Sequence, residues 1–298
     1  MKIALFLKTL VSYVLIGLSC LVFMLPAMLI ACLPARYRYD NRIFFFLAYC
    51  FYKCIVYAPL NKVTIKGKEN LPKEPAIFVA NHQSSFDIPL LGSLCGMFPH
   101  VWLVLEYYIK TPVLGFFIRR MFISVDSSNP AKAARSLIQV YRFLNGKKRH
   151  LLIYPEGGRF NDGTIHHFFV GFAVIARKTG RPVIPVFMPN NGKIFPPYSF
   201  LIYSYPVVSI VGEPMYIKED ETDVAFVARV RQWFVEMNAQ YVAPVVSHSV
   251  QGAYSQTSSA AGSKNGDLHL SADITDIMRE LEDGPGHSIS STDKLRGE

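Results

Sequence analysis

At 298 residues, 51% of them hydrophobic and with a formal net charge of +9, the chain can fill one large core or two modest ones and keep apolar surface to spare. The charge is uneven, because the residues from Ser247 onward hold 4 basic and 8 acidic side chains and leave +13 on the rest. A basic body suits an anionic membrane surface or a phosphate-bearing substrate; nucleic acid is not the expected partner, since no zinc-finger spacing, basic leucine zipper or RNP-like motif occurs.

From Thr9 to Ala35 there are 27 uncharged residues, more than the roughly 20 that cross a bilayer core as a helix. Pro26 lies well inside and predicts a kink or a two-part helix. Lys2 and Lys8 precede the stretch and Arg36, Arg38 and Arg42 follow it, so flanking charge fixes no orientation. A second apolar stretch, Ile43–Leu60, becomes amphipathic if helical, with Arg42, Tyr49, Lys53 and Tyr57 in one narrow polar stripe. Residues 1–60 therefore read as a membrane-anchoring helical pair rather than two independent crossings. A cleaved signal peptide has an apolar region of only about 7–15 residues. Leu29-Ile30-Ala31-Cys32 fits a lipoprotein processing site, but so short a match arises easily by chance. Four of the five cysteines (Cys20, Cys32, Cys50, Cys54) lie in these apolar stretches. None has metal-ligand spacing, no metal is expected, and the odd count fits a reducing compartment.

Beyond Asn61 short β-rich runs alternate with helical ones. Predicted strands are Ala76–Ala80, Val101–Leu105, Phe122–Val125, Leu151–Tyr154, Val183–Met188 and a longer pair within Phe200–Val211. Predicted helices are Pro89–Cys95, Pro130–Leu144, Gly171–Thr179 and Asp223–Tyr241. The alternation indicates an α/β domain over residues 61–246, with a mixed, mostly parallel sheet flanked by helices. Residues 247–298 are rich in Ser, Gly and Ala and read as a disordered polar tail, with one short amphipathic piece at Ala272–Asp283.

His82 and Asp87 follow the strand Ala76–Ala80. Five apart on one helix, they would point about 140° away from each other. Pro89, comfortable only in a first helical turn, places the helix start near Ser85–Asp87 and leaves His82 in the preceding loop. That loop can fold back so that Asp87 reaches the imidazole, fixing its tautomer and leaving the other nitrogen as a base. A plainer reading makes Asp87 or Ser85 a simple helix cap and His82 a loop residue.

Asn81-His82-Gln83-Ser84-Ser85-Phe86-Asp87 resembles the first sequence block of the glycerolipid acyltransferases, the lysophosphatidic acid acyltransferase group. The later blocks follow in order. Thr111-Pro112-Val113-Leu114-Gly115-Phe116-Phe117-Ile118-Arg119-Arg120 through Asp126 resembles the second. Tyr154-Pro155-Glu156-Gly157-Gly158-Arg159 resembles a Phe-Pro-Glu-Gly-Thr-Arg block, and Val183-Ile184-Pro185-Val186 is similar to the final strand.

The resemblance implies transfer of a fatty acyl group from acyl-CoA or acyl-carrier protein, as co-substrate and without another cofactor, to the free hydroxyl of 1-acylglycerol-3-phosphate. Phosphatidate is the product, and the reaction takes place at a phospholipid membrane with the catalytic domain on the cytoplasmic side. His82 would be the base and Asp87 its orienting partner. Glu156, Gly157 and Arg159, with Arg119 and Arg120, would bind the acceptor. Glu156 is expected to hold Arg159 or a glycerol hydroxyl, and Pro185 to shape a sheet edge. Backbone N–H groups at the helix start or in the glycine turn would face the oxyanion.

Three departures loosen the acceptor. Ser127 stands where an arginine is usual, Gly158 replaces threonine, and no lysine precedes Gly171-Phe172, although His166 and His167 lie just upstream. Another lysophospholipid, an amino-acid-containing lysolipid, or a non-catalytic lipid-binding role are the alternatives. A serine hydrolase is excluded, because Gly92-Ser93-Leu94-Cys95-Gly96 misplaces the serine of a Gly-x-Ser-x-Gly elbow.

Overall fold

The computed structural model describes residues 2–111, 114–125, 130–196 and 199–242. Asp126, Ser127 and the predicted tail with Ala272–Asp283 lie outside the described residues.

The N-terminus forms one rod: α1 (Lys2–Ser19), a π-helical turn (Cys20–Met24) and α2 (Leu25–Cys32). Pro26 explains the wide turn. It has no N–H to offer the carbonyl one turn back, and its ring collides with that carbonyl, so the helix widens ahead of it instead of breaking. The rod is built inside out. Thr9, Ser12 and Ser19 are buried, and each hydroxyl donates back to the carbonyl four residues earlier (Leu5, Lys8 and Leu15, 2.7–2.8 Å). Ile3, Leu7, Leu10, Val14, Leu18, Leu21, Leu25 and Leu29, spaced three or four apart along one stripe, are all exposed. At 31 residues it is long and apolar enough to cross a membrane.

Both ends of the rod are nonetheless held by the domain. Thr9 Oγ1 accepts from Ile202 N at 3.1 Å, Tyr13 stacks on Phe200, and Lys8 bonds Asn61 and Ser204. At the far end Ala27 and Ala31 pack on Phe117 and Met121. The expected pair within Phe200–Val211 is thus corrected to one strand, because Phe200 and Ile202 serve the rod instead of the sheet.

After α3 (Ala35–Arg38), Asn41 caps α4 (Arg42–Tyr57) by accepting from Phe44 N at 3.0 Å. Helix α4 buries Phe44, Phe45, Tyr52 and Val56. Its predicted polar stripe lies elsewhere, with the Lys53 ammonium between the rings of Tyr49 and Tyr57 at 5.7 and 5.8 Å.

The domain that follows is a seven-stranded sheet in the order β1-β7-β6-β2-β5-β3-β4. Its strands are β1 (Val63–Lys66), β2 (Ile77–Ala80), β3 (His100–Leu105), β4 (Ile123–Val125), β5 (His150–Ile153), β6 (Val183–Phe187) and β7 (Val207–Val211). All neighbours run parallel except β6 and β7, so the sheet is mixed and mostly parallel, as expected. Pro185, expected at an edge, sits in the interior strand β6. Its missing N–H is tolerated because the pairing with β7 begins at Val186, while its carbonyl accepts from Gly212 at 2.9 Å.

The helices are α5 (Asp87–Leu94), α6 (Leu114–Met121), α7 (Pro130–Leu144), α8 (Gly171–Thr179), the short α9 (Asn191–Ile194) and α10 (Asp223–Tyr241). Strand β2 shows why both faces must be covered. Ile77 and Val79 enter a core with α7, α8 and α10, while Phe78 and Ala80 enter a second core with Leu90 and Leu91 of α5. Each of the larger of these side chains contributes roughly 1.5–3 kcal/mol. A continuous apolar run is what a parallel central strand requires.

Candidate active site

Strands β6, β2 and β5 are neighbours, and the loops at their carboxyl ends bring together residues distant in sequence. In open α/β sheets this is where ligands bind. At the end of β2 the buried Asn81 exchanges two bonds with the backbone of Met188, donating to its carbonyl at 3.1 Å and accepting from its N–H at 2.8 Å. The chain then turns back on itself, and α5 opens at Asp87 with Pro89 in its first turn.

His82 Nδ1 lies 2.8 Å from Asp87 Oδ2. The same oxygen accepts from Gln83 N at 2.6 Å and Ser84 N at 2.7 Å, while Oδ1 accepts from Asn191 Nδ2 at 2.8 Å. With three other donors aimed at its carboxylate, the fully buried Asp87 acts as an acceptor, which assigns the proton of His82 to Nδ1 and leaves Nε2 as the base. The imidazole lies flat on Tyr154, centroids 4.0 Å apart and planes at 11°, and the histidine side chain keeps 13% exposure. It is reachable, yet its plane is fixed from below. Tyr154 in turn stacks on Trp102, whose Nε1 donates to Tyr52 of α4 at 3.2 Å.

Glu156 follows β5 in a tight turn that Gly157 closes at φ 67°, a conformation only glycine adopts cheaply. Its oxygens accept from His82 N at 3.1 Å and His166 N at 3.2 Å. The expectation that Glu156 holds Arg159 is corrected: the carboxylate ties two loops by their backbones. Burial pushes its pKa above the usual carboxylate value, and these two N–H groups only partly offset that.

Arg159 instead donates to Ser85 Oγ at 2.8 Å, and both are exposed beside the His82 loop. Arg119 and Arg120 make their hydrogen bonds elsewhere. Arg119 donates to Ile109 O at 2.9 Å, and Arg120 caps α2 through Ala31 O at 3.0 Å and Cys32 O at 2.7 Å. Arg120 thus binds unpaired helix carbonyls. Around the helix start, Asp87 takes Gln83 N and Ser84 N, and Ser84 takes those of Phe86 and Asp87. Gly157 N is also engaged, by Tyr154 O at 3.2 Å.

No group of three or more His, Cys, Asp or Glu side chains among the described residues is arranged to hold a metal ion. Asn191 is the member that sequence reasoning missed. The Asn190-Asn191-Gly192 turn after β6 was its one local sign.

The acyltransferase family model matches residues 62–189, which span the His82 and Glu156 blocks. Over these residues the chain is similar to that family. Its relatives include a chloroplastic 1-acyl-sn-glycerol-3-phosphate acyltransferase, BAT2, from Brassica napus, 32% identical over 60% of this chain. The Pseudomonas aeruginosa protein of the same enzyme name is 26% identical over 81% of this chain and 95% of its own length. The chain spans about half the length of the chloroplast relatives, 52% of BAT2 and 48% of LPAT1 from Arabidopsis thaliana. The crystal structure of the lysophosphatidic acid acyltransferase PlsC from Thermotoga maritima superposes with a TM-score of 0.64 at 24% identity, over 82% of this chain and all of that one. The domain therefore shares that fold.

Proposed function

We propose that the protein transfers a fatty acyl group from acyl-CoA or acyl-carrier protein to the free hydroxyl of 1-acylglycerol-3-phosphate, giving phosphatidate at a membrane. The observation that carries this reading is the His82–Asp87 pair at 2.8 Å, with Nε2 open and the exposed Arg159 alongside. His82 Nε2 takes the hydroxyl proton while that oxygen attacks the thioester carbonyl. The tetrahedral adduct collapses, the C–S bond breaks, and the imidazolium returns the proton to the departing sulfur. Asp87 stabilises the imidazolium, and the guanidinium of Arg159 suits the acceptor's phosphate in bidentate fashion. The names of the relatives support this substrate.

Membrane attachment rests on the rod. Its outer stripe is apolar and its inner face carries hydroxyls, the reverse of a helix facing water. Because contacts at residues 8–13 and 27–31 lay it along the domain, the rod attaches the protein at a bilayer surface instead of standing free across it. All five cysteines are free thiols, which fits a reducing, cytoplasmic side.

The test uses the full chain in membranes or detergent with acyl-CoA and a panel of lysolipids. His82→Ala is expected to lower kcat by about 10²–10⁴ with folding intact, and wild-type turnover would overturn the assignment. Arg159→Ala is expected to raise the KM for 1-acylglycerol-3-phosphate more than it lowers kcat. An unphosphorylated lysolipid turned over equally well by both forms would remove phosphate from the reading.

A further inference from the structure

Asn191 lies 104 positions from Asp87 in sequence, yet its amide donates to Asp87 Oδ1 at 2.8 Å. Both residues are fully buried. Oδ2 of the same carboxylate takes His82 Nδ1, Gln83 N and Ser84 N, so among the described residues Asn191 supplies the one side-chain amide that faces Oδ1. A carboxylate oxygen buried without a donor is costly, and a carboxylate held at one oxygen can turn about its own bond. The amide orientation is not interchangeable, because the flipped form would set Asn191 Oδ1 against Asp87 Oδ1. In the orientation observed, Asn191 Oδ1 finds no hydrogen-bond partner among the described residues. The fold accepts an unpaired buried carbonyl in exchange for a donor on Asp87.

The short turn that carries Asn191 is itself fixed to the base loop. Gly192 N approaches Gln83 Oε1 at 3.4 Å, Ser84 Oγ donates to Phe195 O at 3.3 Å, and the Phe86 and Phe195 rings stack at 5.2 Å. A Cβ on Gly192 would stand 2.1 Å from Asn161 Oδ1, so a larger residue here would displace that amide from the loop that follows Arg159.

We propose that Asn191 is a positioning residue for the base, the third member of a chain His82–Asp87–Asn191. It turns the Asp87 carboxylate so that Oδ2 meets Nδ1, and it favours the ionised form that stabilises the imidazolium. The proposal rests on the reading of His82 as the base. It acts in the proton-transfer step, so it predicts effects on kcat and on the pH profile with the acceptor KM unchanged.

Asn191→Ala removes the donor. It is expected to lower kcat on the order of 10–100-fold, the scale for outer partners that orient a functional ligand, and to move the acidic limb of the kcat profile to higher pH. Asn191→Asp keeps the shape and sets a second carboxylate against the first. The two share a proton at low pH and repel at high pH, so activity is expected to fall from the alkaline side instead. The measurements are kcat and KM across pH on the full chain in detergent micelles, with thermal melts to establish folding and His82→Ala in parallel. If Asn191→Ala does not fold, the isosteric Asn191→Asp decides through its alkaline limb. Wild-type kcat and pH limbs in a folded Asn191 variant, beside an inactive His82→Ala, overturn the role of Asn191 alone. An active His82→Ala overturns the base assignment and this proposal with it.

Discussion

Replacing Glu156 by glutamine separates two roles that its place beside Arg159 leaves open. As a backbone tie, the carboxylate accepts from His82 N at 3.1 Å and His166 N at 3.2 Å. A glutamine of the same shape accepts only one of these and turns an NH₂ toward the other N–H. Hydrogen bonds to a charged acceptor are worth about 1.5–3 kcal/mol, and a stranded buried N–H costs about 1–3 kcal/mol. Part of that loss is offset, because burial disfavours the charge, as the raised pKa of Glu156 indicates. A net loss of about 1–3 kcal/mol follows, or a fall in Tm of roughly 2–12 °C for a domain of this size. Because His82 hangs from one of the two bonds, kcat falls as well.

The pH dependence carries the same signature. With its pKa raised in the folded chain, Glu156 binds its proton more readily folded than unfolded. Its contribution is full below about pH 4.5 and is lost as pH rises through the folded value, a slope the glutamine variant lacks. Thermal melts from pH 4 to 8 in detergent, with acceptor kinetics at pH 7, make the comparison. A glutamine variant that melts like the wild type while acceptor KM rises at constant kcat refutes the tie and makes Glu156 an acceptor ligand.

Tyr154 offers its face to His82, but its hydroxyl is buried and has no hydrogen-bond partner among the described residues. Tyr154→Phe is expected to keep kcat and gain about 1 kcal/mol in stability, whereas Tyr154→Leu loses the stacked face and lowers kcat; a destabilised Phe variant counts against the geometry. His100 and His150 are pushed by burial down to about 4 and about 3, from an ordinary value of 6.5. The unfolded chain therefore binds protons that the folded one refuses, so stability is full above pH 6.5 and falls as pH drops, by up to about 1.4 kcal/mol per unit per histidine. Thermal melts of the wild type and of His100→Gln between pH 7 and 4.5 measure this, and equal slopes in the two proteins refute it for His100.

Local signals were enough for much of the fold. Helices Pro130–Leu144, Gly171–Thr179 and Asp223–Tyr241 were readable to the residue because proline, glycine and threonine punctuate their ends. Pro89 placed the start of α5 near Ser85–Asp87 for the same reason, and it falls at Asp87. What failed depended on distant partners. Val63–Lys66 is a strand because β7 pairs with it, and residues 200–206 are not, because the rod takes Ile202 N for Thr9. Arg120 was legible as a charge, but its work as a cap requires knowing that α2 ends beside α6. Asn191 had only its turn to announce it, since nothing near it in sequence states that Asp87 has an oxygen to fill.

The site shares one construction across its three strands. A parallel sheet must end to leave room for substrate, and its last N–H and C=O groups then lose their ladder partners. Here side chains continue the ladder. Asn81, just past β2, pairs with both backbone groups of Met188 just past β6, in the direction of the β2–β6 pairing. Glu156, past β5, takes the N–H of His82 across the β2–β5 pairing. The strands stop, and the backbone stays as fixed as if the sheet went on. Charge enters by the same route: Asp87 spends its oxygens on two backbone N–H groups, one amide and one imidazole, so the group that orients the base also folds the loop that carries it. Loop stability and base orientation therefore cannot be tuned separately at Asp87. Asn191 touches the carboxylate without touching the backbone of that loop, and it is the position at which the two effects come apart.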